Sequence, residues 1–440
     1  MKLELSLDDL LGMQMYSTQL SSGMQAYFLP LRHDIKVHMF HLFTRFGSID
    51  AKFFDADTKR IVEVEDGTAH FLEHCAFYDP NGKDAMAIAS SYGIDSNAWT
   101  SFDHTTYHMH TVGKKVRRDL DFLIGFVTTP YLTDKIVEKE QGVISQEIAG
   151  YSDNPGCAIS ENLRSALFRV SPFRRSVAGS KESIMGINKE YLQSAYDTFY
   201  HPSNLKLVMM VPTGNPEESA KKYFGLAEDI CDKKGFVMKQ PPEYICAEEP
   251  KEVRLKHVAV EHNVPEPFVH IGFKGNMVLG GDRLRPRIVN DLLASTIFSN
   301  SSEAAYDLIK RGIVRSDSFG AEHEDYRGCG MFTVQGSVSD PGRFESEIVG
   351  MLKSQVNGKM KRDFFETIKR GKIGAFAKAL ELESPESFEY FVITHLASGL
   401  NPIVALKTLT SVTYEEVLEA GKIYLDTGDY SVSTLLPRKR

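Results

Sequence analysis

The apolar positions of this chain change period several times, and each change marks an element. Met24 to Leu29 follows Ser21-Ser22-Gly23 and reads as a hairpin arm, and Val37 to Phe43 reads as a second strand. Helical periodicity is expected from Asp66 to Phe77, where Asp66 or Thr68 can serve as N-cap and Phe71, Leu72, Ala76 and Phe77 form an apolar remainder. Further helices are expected at 114–127 and 133–151. The last of these has Ile136, Val137, Val143, Ile144 and Ile148 as its apolar stripe and stops before Asp153-Asn154-Pro155. Helices are also expected at 158–168 and 188–200, the latter with Asn188 as N-cap, before a strand at 205–211. Residues 217–251, with paired lysines and Pro241-Pro242, read as a charged connector. The pattern then restarts. Phe268 to Gly275 echoes the strand that ended at Phe46-Gly47, and Arg287 to Phe298 takes the place of the helix at 66–77. Strands and helices in this order predict an α+β fold of two similar domains, each an antiparallel-rich sheet with helices packed on it. The expected boundaries are 1–225, a connector at 226–250, and 251–440.

Length and composition support that division. At 440 residues the chain exceeds one ordinary core, and 42% hydrophobic with 25% charged residues is ordinary for a globular protein. A net charge of −8 argues against a nucleic-acid surface. The five cysteines, Cys75, Cys157, Cys231, Cys246 and Cys329, show no CxxC spacing and fit reduced thiols in a cytoplasmic protein. Residues 1–16 lack a basic stretch backed by an apolar run, so no signal peptide is expected, and no run of 18 apolar residues points to a membrane span.

The chemistry concentrates at His70-Phe71-Leu72-Glu73-His74. This HxxEH order inverts the HExxH zinc motif. On a helix, His70 and His74 lie one above the other, and two imidazoles so placed can hold zinc at about 2.0–2.1 Å. Glu73 is placed to reach a water on the metal. Cys75, next to His74, points about 100° away and is not expected to be a ligand. A catalytic zinc normally takes three protein ligands, so an acidic helix should follow. Glu140 and Glu147, seven apart on the helix at 133–151, offer one carboxylate to the metal and one to support a ligand. Other histidines are read as structural. His38 and His41 are three apart in a strand, on opposite faces, with no joint metal role. His108 and His110 share a strand face near His104, but no carboxylate partner stands nearby in sequence.

HxxEH followed by a Glu-x6-Glu helix resembles the pitrilysin family of inverzincin metallopeptidases, which includes mitochondrial processing peptidase and insulin-degrading enzyme. The third ligand of that family lies somewhat over seventy residues past the second histidine; here 147 − 74 = 73. The resemblance implies His70, His74 and Glu147 as ligands of one Zn2+ per chain, Glu73 as general base and Glu140 as supporting carboxylate. It implies that Asn97, Ala98, Trp99 and Thr100, in Gly93 to Thr100, belong to an edge strand on which peptide substrate adds as an extra strand. Ala178-Gly179, Glu182-Ser183-Ile184 and Phe199 to Asn204 resemble other words of the family, whose short bacterial members have roughly 400 residues. The two domains of such proteins face each other across a cavity.

One departure stands out. Active members carry an arginine and a tyrosine, seven apart, near a segment resembling Lys310-Arg311-Gly312-Ile313. At those places this chain has Leu308 and Arg315, with Tyr326 and Arg327 a little further on. In short bacterial members a zinc-binding chain often pairs with a zinc-less homologue that supplies both groups. The expectation is therefore a zinc endopeptidase for short or unfolded peptides, acting as the zinc-bearing half of a heterodimer, with no nucleic acid or membrane partner. The alternatives are a catalytically silent peptide-binding subunit and a dedicated processing protease for one modified bacterial peptide.

Overall fold

In this computed structural model residues 2–438 are described, except 56–57, 80, 114, 247, 276–282, 328, 381–384 and 428. The chain divides into two compact units that are discontinuous in sequence. The first comprises 1–148, 176–245 and 392–399; the second comprises 149–175, 246–391 and 400–440.

The first unit is built on seven strands: β1 (Glu4–Leu7), β2 (Gln14–Gln19), β3 (Gln25–Leu31), β4 (His38–Thr44), β5 (Asp95–Thr100), β6 (Thr105–Thr111) and β7 (Leu205–Pro212). They lie in the order β1-β2-β3-β7-β4-β6-β5, antiparallel except where β3 runs parallel to β7. Alternation along β4 and β6 sends Phe40, Leu42, Tyr107 and Met109 to one face, where helices cover them. Those helices include α1 (Thr68–Ala76), α2 (Val116–Thr128) and α3 (Asp134–Asp153), which leads at Asn154 into α4 (Pro155–Leu167) of the second unit; α5 (Lys189–Phe199), α6 (Pro216–Lys233) and the short helices Ala85–Ser91 and Lys181–Gly186 also contribute. Phe71 of α1 is fully buried in this core, a burial worth about 1.5–3 kcal/mol. A small sheet pairs Glu243–Tyr244 with Lys52–Asp55 and the latter with Arg60–Glu63.

The second unit has a five-stranded sheet of β8 (His257–His262), β9 (Phe268–Lys274), β10 (Gly320–Tyr326), β11 (Cys329–Ser337) and β12 (Tyr430–Pro437), ordered β8-β12-β9-β11-β10. Only β8 and β12 run parallel among these pairs. Its core gathers Val269, Ile271, Phe332 and Val334 with helix α7 (Leu284–Phe298) and the helices after it. Each unit thus has helices on a largely antiparallel sheet, as the repeat in the sequence predicts.

Several details differ from the sequence expectations. Residues 216–233 are a helix of the first unit, not part of a connector. Its charges lie on an exposed face, while Ala220, Phe224, Ala227 and Ile230 are buried. The expected contiguous boundaries also give way, because α4 belongs to the second unit. There Gly272 of β9 admits Leu163 so closely that a Cβ would meet its side chain at 2.9 Å. Val143 is exposed, and Glu140 takes an inward position on α3 instead. Neither Asp66 nor Thr68 caps α1. Gly67 does, in a left-handed conformation (φ +89°), and Thr68 Oγ1 donates to Glu65 O at 2.6 Å. No helix among the described residues is long and apolar enough to cross a membrane.

Candidate metal centre

Helix α1 starts at Gly67 because a tight approach demands a residue without a side chain. A Cβ there would stand 2.5 Å from Ala178 O, and one on Gly179 (φ +79°) would stand 2.5 Å from Asp66 O. Ser183 Oγ donates to Asp66 O at 2.9 Å, so the Ala178-Gly179 and Ser183 words lock the entrance of the helix. From this fixed start, α1 turns Phe71, Leu72 and Cys75 into the core, and the 3.6-residue period leaves His70, Glu73 and His74 together on another side. Cys75 is fully buried and its thiol pKa is pushed up by desolvation, which removes it from consideration as a ligand.

Helix α3 delivers both carboxylates. Glu147 Oε2 lies 3.7 Å from His70 Nε2 and 3.4 Å from His74 Nε2, and the three residues bring donor atoms within 4.8 Å of one another. Glu140 Oε2 lies 3.0 Å from His74 Nδ1, and Tyr78 Oη donates to its Oε1 at 2.6 Å. With Nδ1–H given to Glu140, the His74 Nε2 lone pair is directed to the side where Glu147 stands. Two imidazoles and one carboxylate, with a ring orientation fixed from behind, form a donor set that fits zinc.

The electrostatics follow from burial. Desolvation, reinforced by the neighbouring His74, lowers the pKa of His70 to about 4, so its ring is neutral and able to bind a metal at pH 7. For His74, burial alone would lower the pKa, but the hydrogen bond to Glu140 and the surrounding carboxylates outweigh it and the net shift is upward. Burial would raise Glu140, yet its bonds to His74 and Tyr78 prevail and hold it below the usual range. Glu73 is pushed up to about 7, chiefly by burial, with Glu147 adding to the effect. Thr100 Oγ1 donates to Glu73 Oε2 at 2.6 Å and works in the opposite direction. A carboxyl poised near 7 can exchange protons in both directions at neutral pH.

The expected substrate strand is β5, the edge strand at one end of the first sheet; it pairs only with β6 among the described strands. Its residues divide in role. Thr100 faces α1 and holds Glu73, Ala98 packs against the core, and Trp99 turns to the reverse face against His108. Asn97 joins Glu73, His74, Phe77, Tyr78 and Met86 around a cavity of about 270 Å3. Tyr78 is the site residue that the sequence did not reveal. It is four residues past His74, and Lys139 Nζ donates to its hydroxyl at 2.7 Å. An aromatic one helical turn past a ligand was the available signal.

In the second unit, Leu308 is buried in the core, on the helix Glu303–Lys310. Arg315 is exposed and held by Asp317 at 2.7 Å and Glu266 at 3.1 Å. Tyr326 ends β10, with the buried Arg327 after it.

Helices over a largely antiparallel sheet thus bring two histidines and a glutamate together, and a second unit of similar plan follows. Comparison with known proteins identifies the family. The sequence profile described as "Insulinase (Peptidase family M16)" matches residues 62–181, and that described as "Peptidase M16 inactive domain" matches 186–372. The "Uncharacterized zinc protease YmfH" of Bacillus subtilis (strain 168) is 31% identical over 408 residues, covering 92% of both chains. The mitochondrial-processing peptidase subunit beta of Caenorhabditis elegans is 30% identical over 178 residues, 39% of each chain. A crystal structure of an M16-like peptidase from Alicyclobacillus acidocaldarius superposes with a TM-score of 0.87 at 27% identity, covering 99% of both chains. Pitrilysin, at 15% identity and a TM-score of 0.76, shares the fold over all of this chain and 47% of its own. The chain belongs to the M16 peptidase family.

Proposed function

We propose that the protein is a zinc-dependent endopeptidase of short or unfolded peptides. The observation that carries this reading is the convergence of His70, His74 and Glu147 within 4.8 Å, with the buried Glu73 one residue from a ligand. His70, His74 and Glu147 would hold the zinc ion, which would supply Lewis acidity to a carbonyl and to the attacking water. Glu73 accepts the proton of the attacking water and returns it to the leaving amine, for which a pKa of about 7 suits it. Thr100 fixes the rotamer of Glu73 through its hydroxyl. Glu140 and Tyr78 hold the His74 ring in register. Peptide main chain adds along the open side of β5, in a mode tolerant of sequence. A bulky side chain beside the scissile bond enters the cavity walled by Phe77, Tyr78 and Met86.

The proposal includes a partner. An oxyanion needs a preorganised donor. Leu308 has none, and the Arg315 guanidinium is engaged by two carboxylates. A homologous zinc-less chain that supplies an arginine and a tyrosine completes the site. Five free cysteines accord with residence in the reducing cytoplasm.

The test is hydrolysis of a quenched, flexible peptide library with metal content measured on the same sample, by this chain alone and with its co-purified partner. Metal bound by the chain, with activity arising only when the partner is added, supports the shared-site reading. Activity from the chain alone, lost in Glu73→Gln, removes the partner from the proposal. Metal without activity in either setting leaves a peptide-binding subunit.

A further inference from the structure

The reverse face of the first sheet carries a second group of donors. Strand pairing sets His41 of β4 directly opposite His108 of β6, and Met39 opposite His110. Leu42, Tyr107 and Met109 point into the core with Phe71 of α1, so alternation places His41, His108 and His110 together on the other face. His41 is fully buried. Its ring stacks on His108 with centroids 5.5 Å apart and planes 20° apart, and His110 stands 5.1 Å from His108 and 6.5 Å from His41. One ring nitrogen from each of the three lies within 4.8 Å of those of the other two.

We propose that His41, His108 and His110 form a second transition-metal site, separate from the centre on α1 and α3. Filling space on a β-sheet calls for Val, Ile or Thr, whereas this face sets three imidazoles side by side, His41 fully buried and His108 and His110 partly exposed. The arrangement suits coordination. A tetrahedral ion with bonds of about 2.0–2.1 Å needs nitrogens about 3.3 Å apart, so the rings close by roughly 1.5 Å at most through side-chain rotation. Imidazole donors select borderline divalent ions, Zn2+, Cu2+ or Ni2+, over Mg2+ or Ca2+. An ion there clasps β4 to β6 one strand in from the edge strand β5.

The chain contains its own reporter. Trp99 is its one tryptophan, and its ring stands 5.4 Å from His108 and 6.2 Å from His41. The full-length His70→Ala/His74→Ala variant lacks the imidazoles of the other centre, so its response to Cu2+ reads this cluster independently of the peptidase reading. Tryptophan fluorescence should fall at least about twofold and saturate at one equivalent of Cu2+. Adding His108→Gln should weaken that response roughly tenfold or more. His110→Gln, at a partly exposed strand position, should weaken it likewise and serves if His108→Gln does not fold, as judged by circular dichroism. Wild type loaded with Zn2+ and desalted should retain two equivalents, and the His70→Ala/His74→Ala chain one. Quenching that fails to saturate, or that is the same with and without the folded histidine variants, overturns the proposal.

Discussion

Helix α1 and helix α7 each pack into the core of their own unit, yet they bury different things. α7 places Ile288, Val289, Leu292, Leu293 and Ile297 inside, and Thr296 is the only polar residue among its buried positions. α1 is shorter and buries His70 and Glu73 beside Phe71 and Leu72. Packing alone prefers the first solution, because an ionisable group taken from water costs several kcal/mol unless it is paired or neutralised. α1 relieves that cost with Thr100, Glu140 and Tyr78. Positions that violate the packing rule and carry dedicated partners set α1 apart from α7.

The comparison can be broken most sharply at Glu73. Glu73→Gln should lower peptide turnover about 10³-fold while metal content, measured by atomic absorption, stays at the wild-type level. If metal is lost with it, the division between ligand and base is wrong. Leu292→Ala on α7 tests the other helix. It should cost about 2–5 kcal/mol in denaturant unfolding, through the cavity it leaves, with metal content per folded chain unchanged. Glu140→Gln should weaken metal binding about 10–100-fold in competition with a chelator, since the charged acceptor that orients the His74 ring is replaced by a neutral amide.

The smallest effect concerns pH. His270 of β9 is buried, and desolvation, with the nearby Arg164 charge, lowers its pKa to about 3. The unfolded chain therefore takes up this proton first as pH falls below 6.5, so stability present above that value drains between 6.5 and about 3. His270→Leu should flatten that part of the stability–pH profile, read from urea midpoints. His70, at about 4, follows the same sign in the metal-free chain. Metal bound at His70 and His74 should steepen the acid loss, because protons then compete with the ion. Equal profiles with and without zinc would set the two histidines on a par and remove the distinction.

How much of this was legible depended on range along the chain. The HxxEH face and the Glu140–Glu147 spacing follow from helical geometry, which fixes where residues four or seven apart must point. The exposed charges of α6 mask a helix, because Lys221, Lys222 and Asp232 have the composition of a linker although Ala220, Phe224, Ala227 and Ile230 keep a helical period. Periodicity along one strand sets His108 and His110 on a shared face but says nothing of what stands across the ladder.

The sequence by itself therefore determined the repeated α+β plan and the face of α1 that bears His70, Glu73 and His74, because both rest on local periodicity. Tertiary structure alone decided that Glu147 reaches those histidines across 73 residues, that Thr100 and Tyr78 hold Glu73 and Glu140, and that His41 meets His108. Those contacts depend on strand register and on where helices dock. Both are set by the summed burial of whole faces rather than by any short stretch of chain.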